Sequence, residues 1–170
     1  IGATIWVWDR LKARMADGIS LAGVLVGIAV FGLWIWMIPP DAQRSGEIAD
    51  ALWDAGPALV TLWITARIIG SCILVPVLEE LAFRGALVDV TRDLLPKTLP
   101  PIAIQATLLV LPSIAFGLLH ANIAAGTMAG LAFGALALWR GGIADAILAH
   151  AITNFLIAVT AMGLGYWSYW

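Results

Sequence analysis

The residues able to do chemistry in this sequence are few, and they stand in apolar surroundings. Glu79 and Glu80 are adjacent, with Arg84 four residues beyond the second. His120 follows Phe116 by four residues, and Asn154 follows His150 by four. Arg67 and Asp145 complete the ionisable groups set within apolar sequence. On insertion scales Asp, Lys or Arg costs about 2.5–3.5 kcal/mol at the centre of a membrane span, so such groups mark a relay, a pathway or a site. Their types suit proton transfer and oxyanion chemistry. A carboxylate withdrawn from water holds a proton more readily, which fits general-base work. Donors held rigidly on one helical face stabilise developing negative charge, where losing one costs about 10²–10³ in rate.

Helical geometry separates the roles. Successive side chains on a helix point about 100° apart, so Glu79 and Glu80 cannot share a direction. Glu80 and Arg84, at a spacing of four, can pair along the helix and leave Glu79 facing elsewhere. His150 and Asn154 lie on one face by the same rule. The competing structural reading puts both glutamates at the membrane surface and makes each histidine a hydrogen-bonded part of the scaffold. Three separate segments contribute these groups, however, and segments of that kind converge in the core of a helix bundle.

The elements that must position them are membrane helices. Of the 170 residues, 62% are hydrophobic and 12% charged, against about 45–50% and about 25% in soluble domains. A span needs about 20 mostly apolar residues. Candidate spans cover 19–38, 57–78, 102–119, 123–139 and 143–164, with a polar stretch at 41–54 between the first two. The apolar opening 1–8 reads as the tail of an upstream membrane segment, or as a processed terminus. The expectation is an all-α polytopic bundle of about five to six helices enclosing an intramembrane polar cavity. It forms a single membrane-embedded domain over 1–170, with its motif core at 57–164. Arg10, Lys12 and Arg14, then Arg92 and Lys97, then Arg140 fall on one side of an alternating chain. That side is the cytoplasmic one by the positive-inside rule, which puts the N-terminus inside. Trp34, Trp36, Trp139, Trp167 and Trp170 stand near span ends, where indole rings favour the interface. Gly126, Gly130 and Gly134, and again Gly23 and Gly27, form stripes that let another helix approach closely. The formal net charge of −2 speaks against a nucleic-acid partner. Cys72 is the single cysteine, so no internal disulfide forms.

Taken together, Glu79-Glu80-x-x-x-Arg84, Phe116-x-x-x-His120 and His150-x-x-x-Asn154 resemble the three-motif signature of the CPBP intramembrane proteases. That family includes the CAAX prenyl endopeptidases and bacterial bacteriocin-processing and immunity proteins. The Val-Pro-Val-Leu-Glu-Glu stretch and Trp-rich tail also look like bacterial members associated with exosortase-type sorting. The resemblance implies an integral protein of the bacterial cell membrane that hydrolyses a peptide bond of a membrane-associated or lipid-anchored substrate. Carried over, Glu79 is the general base on a water and His120 helps hold that water. His150 and Asn154 donate to the oxyanion, while Glu80, Arg84 and Phe116 support the site. No cofactor is expected. The alternative is zinc on Glu79, His120 and His150, three ligands with water as the fourth, although the chain has no His-Glu-x-x-His helix. Two other functions share these residues: a transporter or channel component that uses them as a proton or ion relay, and a non-catalytic scaffold or immunity protein.

Simple span counting places Glu79 and His120 at opposite membrane faces. The chemistry therefore asks for a span shifted to 68–90, with the segment from Pro57 along the interface. It also asks for a broken or re-entrant segment at 119–126, tolerated where backbone lines a watery cavity. Pro76 and Pro112 offer places to bend.

Overall fold

The computed structural model describes Arg14, Met15 and residues 18–170. The apolar opening at 1–8 and the cations Arg10 and Lys12 lie outside the described residues.

Among the described residues the chain folds into six helices and a final 3₁₀ turn, without strands. Helix α1 (Leu21–Met37) starts where the Ser20 hydroxyl accepts a hydrogen bond from Ala22 N, and it stops ahead of Pro39 and Pro40. After a bend of 109° the chain enters α2 (Ala42–Ala55). The polar stretch at 41–54 thus forms a helix of its own, because the Asp41 carboxylate caps it by accepting from Arg44 N at 2.9 Å. Gly56, at φ 79°, turns the chain into Pro57. From there one helix, α3 (Pro57–Leu94), runs 38 residues without a break. The remaining elements are α4 (Pro101–Gly117), α5 (Ile123–Arg140), α6 (Ala144–Leu164) and the turn Trp167–Tyr169.

Two expectations are corrected here. Hydropathy marks five spans, but among the described residues three helices (α3, α5 and α6) are long and apolar enough to cross a membrane, or four if the bent pair α1–α2 counts as one. The prolines bounding α1 and α4 hold each to 17 residues, about 25 Å at 1.5 Å per residue, which is short of a hydrocarbon core of about 30 Å. The segment from Pro57 is not a separate interfacial piece either. It is continuous with the helix that carries the glutamates, and Glu79 lies past the midpoint of that helix. Pro76 does not interrupt α3 because the helix widens into π turns at Ile69–Leu74 and Leu81–Leu87, on either side of the α-helical Val75–Glu80. Such widened turns are frequent at functional sites.

The glycine stripes do what their spacing implies. On α5, a Cβ at Gly130 would stand 3.0 Å from the Ser113 backbone of α4, and one at Gly126 would stand 2.9 Å from His120 Cβ. These contacts pair α4 with α5 antiparallel and hold the His120 turn against α5. Gly27 of α1 meets the Ala149 carbonyl of α6, where a Cβ would come within 2.6 Å, and Thr153 Oγ1 donates to the Gly27 carbonyl at 2.9 Å. The core between these pairs contains Val30, Phe116, Phe133, Leu136, Ala146 and Ala149. Asp145, fully buried at the start of α6, accepts from Ser20 N and Oγ at 2.6 Å each. It also pairs with Arg140 at 2.7 Å. This ionisable group therefore ties α1, α5 and α6 together at one end of the bundle.

Candidate active site

Glu80 is fully buried, and one oxygen of its carboxylate serves two partners. Arg84 Nη1 donates to Glu80 Oε1 at 3.1 Å, and His150 Nδ1 lies 3.1 Å from the same oxygen. The pairing of Glu80 with Arg84 one turn on is thus present, and it extends to α6. Arg84 Nη2 donates to the Gly130 carbonyl at 2.8 Å, and its guanidinium lies 4.5 Å from the centre of the Phe116 ring. One buried arginine therefore joins α3, α4 and α5.

Glu79 points away from that pair. Its Oε2 is buried, makes no hydrogen bond among the described residues, and stands 4.0 Å from His150 Nε2. His150 is consequently held between the two glutamates, one at each ring nitrogen. Its ring stacks on Phe133, with centroids 5.0 Å apart and planes at 19°. A buried polar atom without a partner calls for an explanation, and the Glu79 oxygen is such an atom beside an imidazole.

His120 sits in the short connection at 118–122 between α4 and α5; the break expected at 119–126 is confined to that connection, because α5 is already helical from Ile123, where the Asn122 side chain caps it. His120 Nδ1 lies 2.8 Å from the Phe116 carbonyl. A carbonyl can only accept, so Nδ1 is the donor in this contact, which leaves Nε2 to face other partners. The Phe116 ring bridges the two histidines, 4.6 Å from His120 and 5.5 Å from His150 between ring centres. Among the described residues no hydrogen bond or ion pair joins Glu79 to His120; the glutamate's histidine partner is His150.

Asn154 is engaged with α3 rather than standing free. Its Nδ2 donates to the Ser71 carbonyl at 2.7 Å. The widened turn explains why that carbonyl needs a donor. Val75 N bonds back five residues to the Gly70 carbonyl, so the corresponding donor to Ser71 would be residue 76, which is proline and has no N–H. The amide nitrogen of Asn154 has a second N–H that remains available. Asn154→Ala should therefore do two things: lower the melting temperature, since it removes a part-buried hydrogen bond with a net worth of about 0.5–1.5 kcal/mol, and lower activity. If only the turnover number moves in that variant, the Ser71 contact carries no structural weight.

His120, His150 and Asn154 line one cavity of about 210 Å³ together with Trp34, Phe116 and Phe133. Arg67, Ser71, Tyr169 and Trp170 complete its wall on the side of α3 and the C-terminal turn. Glu79 is not among those lining residues; it stands beside one of them, with its Oε2 4.0 Å from His150 Nε2. Sequence spacing misses the contributions of Phe133, Ser71 and the aromatic tail, because none of them belongs to a short polar motif. Among the described residues no three His, Cys, Asp or Glu side chains gather as a metal-binding group.

None of the curated proteins and none of the solved structures matches the chain. The model of one family, described as type II CAAX prenyl endopeptidase Rce1-like, matches residues 61–156, which include all three polar motifs. That stretch is more than half of the 170 residues, and this helical integral membrane protein belongs to the Rce1-like family of type II CAAX prenyl endopeptidases.

Proposed function

We propose that the protein is an intramembrane endopeptidase that hydrolyses a peptide bond of a membrane-associated or lipid-anchored substrate, with Glu79 activating the water. Glu79 takes the proton of the attacking water through Oε2, and His120 helps hold that water through its Nε2. The nucleophilic oxygen adds to the peptide carbonyl, and the resulting oxyanion accepts hydrogen bonds from His150 Nε2 and the second N–H of Asn154. In this scheme His150 faces the oxyanion with Nε2 while Nδ1 stays at 3.1 Å from Glu80 Oε1. Proton transfer from Glu79 to the leaving nitrogen completes the cleavage. Glu80 and Arg84 position His150, and Phe116 separates the two imidazoles. The observation that carries this reading is the placement of His150 between both glutamates, beside a cavity shared with His120 and Asn154.

No metal takes part in this scheme. The test is cleavage of a peptide library by the purified protein in lipid nanodiscs, with and without a chelator. Cleavage that survives the chelator supports the glutamate-water reading, while loss of all cleavage with recovery on added zinc would replace it with a metal mechanism. We also propose that the protein resides in a bacterial cell membrane with its N-terminus in the cytoplasm and takes no nucleic acid as partner. A protease-sensitive tag after Trp170 should be cut from outside in spheroplasts, and protection of that tag would invert the orientation.

A further inference from the structure

Arg67 lines the same cavity as His120, His150 and Asn154, and the scheme above leaves it without a role. Its guanidinium lies near two indoles, 5.6 Å from the Trp63 ring centre and 5.4 Å from that of Trp170. Arg14 and Arg92 contact Asp89, Arg84 pairs with Glu80, and Arg140 pairs with Asp145. Arg67 has no such partner: no carboxylate of the described residues lies within 4.0 Å of it, and its Nε is buried without a hydrogen bond. A second unpartnered polar atom belongs to the same wall. The Tyr169 hydroxyl, on a residue that lines this cavity, is also buried and unpartnered.

Neighbouring contacts fix the aromatic wall around Arg67. Ser71 Oγ donates to the Arg67 carbonyl at 2.7 Å and accepts from Trp170 Nε1 at 3.1 Å. Trp63 packs edge-on against Trp170 with centroids 5.5 Å apart. Aromatic faces attract a cation but leave the N–H groups of a guanidinium without acceptors. An uncompensated cation in apolar surroundings is costly, and an anion entering with the ligand removes that cost. The planar guanidinium fork matches a carboxylate through paired N–H donors, and a phenol hydroxyl adds another donor.

We propose that Arg67 and Tyr169 form a carboxylate subsite of the catalytic cavity, so that the preferred substrate presents a carboxylate there. The carboxylate comes either from a free chain terminus or from an Asp or Glu side chain. The class of anion rests on the endopeptidase reading, since carboxylates are the anions a peptide itself carries.

Binding tests the subsite apart from cleavage. Glu79→Gln protein in detergent is offered matched libraries of N-dodecanoyl tetrapeptides: free acids, amides, and amides containing one Asp or Glu. Retained peptides are counted by mass spectrometry. One acidic library should be enriched at least tenfold over the plain amides, equivalent to about 1.4 kcal/mol, and which one it is identifies the source of the carboxylate. The enrichment should fall close to one in Arg67→Gln, recover in part in Arg67→Lys, and weaken in Tyr169→Phe, with melting temperatures recorded for each. If Arg67→Gln does not fold, the graded losses in the lysine and phenylalanine variants carry the test. Equal retention of acids and amides, or no retention of any library, overturns the subsite. Enrichment by a protein whose wild type cuts nothing supports the subsite and defeats the endopeptidase reading. Cleavage by the wild type without acid preference does the reverse.

Discussion

Glu79→Gln is expected to abolish cleavage, by a factor of at least about 10²–10⁴ for loss of a general base, in a protein that still folds and inserts. Glutamine keeps the length and the oxygen of the side chain but cannot take a proton from water. The Glu79 side chain is 24% exposed and engages in neither the Arg84 pair nor a hydrogen bond, so little of the fold depends on it. The activity of nanodisc-embedded protein and its melting temperature should therefore separate cleanly, the first lost and the second kept. Near-normal turnover in this variant would remove Glu79 as the base and favour a proton or ion relay through the same groups.

Glu80→Gln should behave differently, with the largest effect on stability. The Glu80 carboxylate is fully buried, and its Oε1 meets both Arg84 Nη1 and His150 Nδ1 at 3.1 Å. Neutralising it strands the Arg84 guanidinium in the core. Removing one partner of a buried ion pair typically costs about 3–5 kcal/mol. Yield and melting temperature should fall together with activity, because His150 also loses the group that fixes its Nδ1. Glu80→Leu combined with Arg84→Met should regain part of the stability without regaining activity, since a buried pair replaced by apolar groups is often close to neutral. A Glu80→Gln protein as stable as wild type but inactive would exchange the roles given to the two glutamates.

These contrasting outcomes rest partly on what is local in the chain and partly on what is not. Composition alone requires lipid as solvent, and helical periodicity alone permits the Glu80–Arg84 pair and the common face of His150 and Asn154, because both depend only on a spacing of four within one helix. The glycine stripes, likewise periodic, announce the close approach of α4 to α5 and of α1 to α6. Hydropathy reports the transfer of each segment into lipid, not its length as a helix or its direction. It therefore misses α2, which an aspartate cap builds from polar sequence, and the continuity of α3 through Pro76. The long-range contacts depend on those shapes. Asn154 turns to Ser71 because a widened turn followed by proline leaves that carbonyl without a donor. His150 comes to rest between Glu79 and Glu80 because α6 packs against the α-helical stretch between two π turns. The cavity wall beside Arg67 includes Trp170 because the C-terminal turn brings that indole back over α3. The sequence by itself determined which groups carry charge inside the membrane and how each is spaced along its own helix. Tertiary packing decided which of them face one another, because such contacts depend on where π turns, prolines and glycines let separate helices meet.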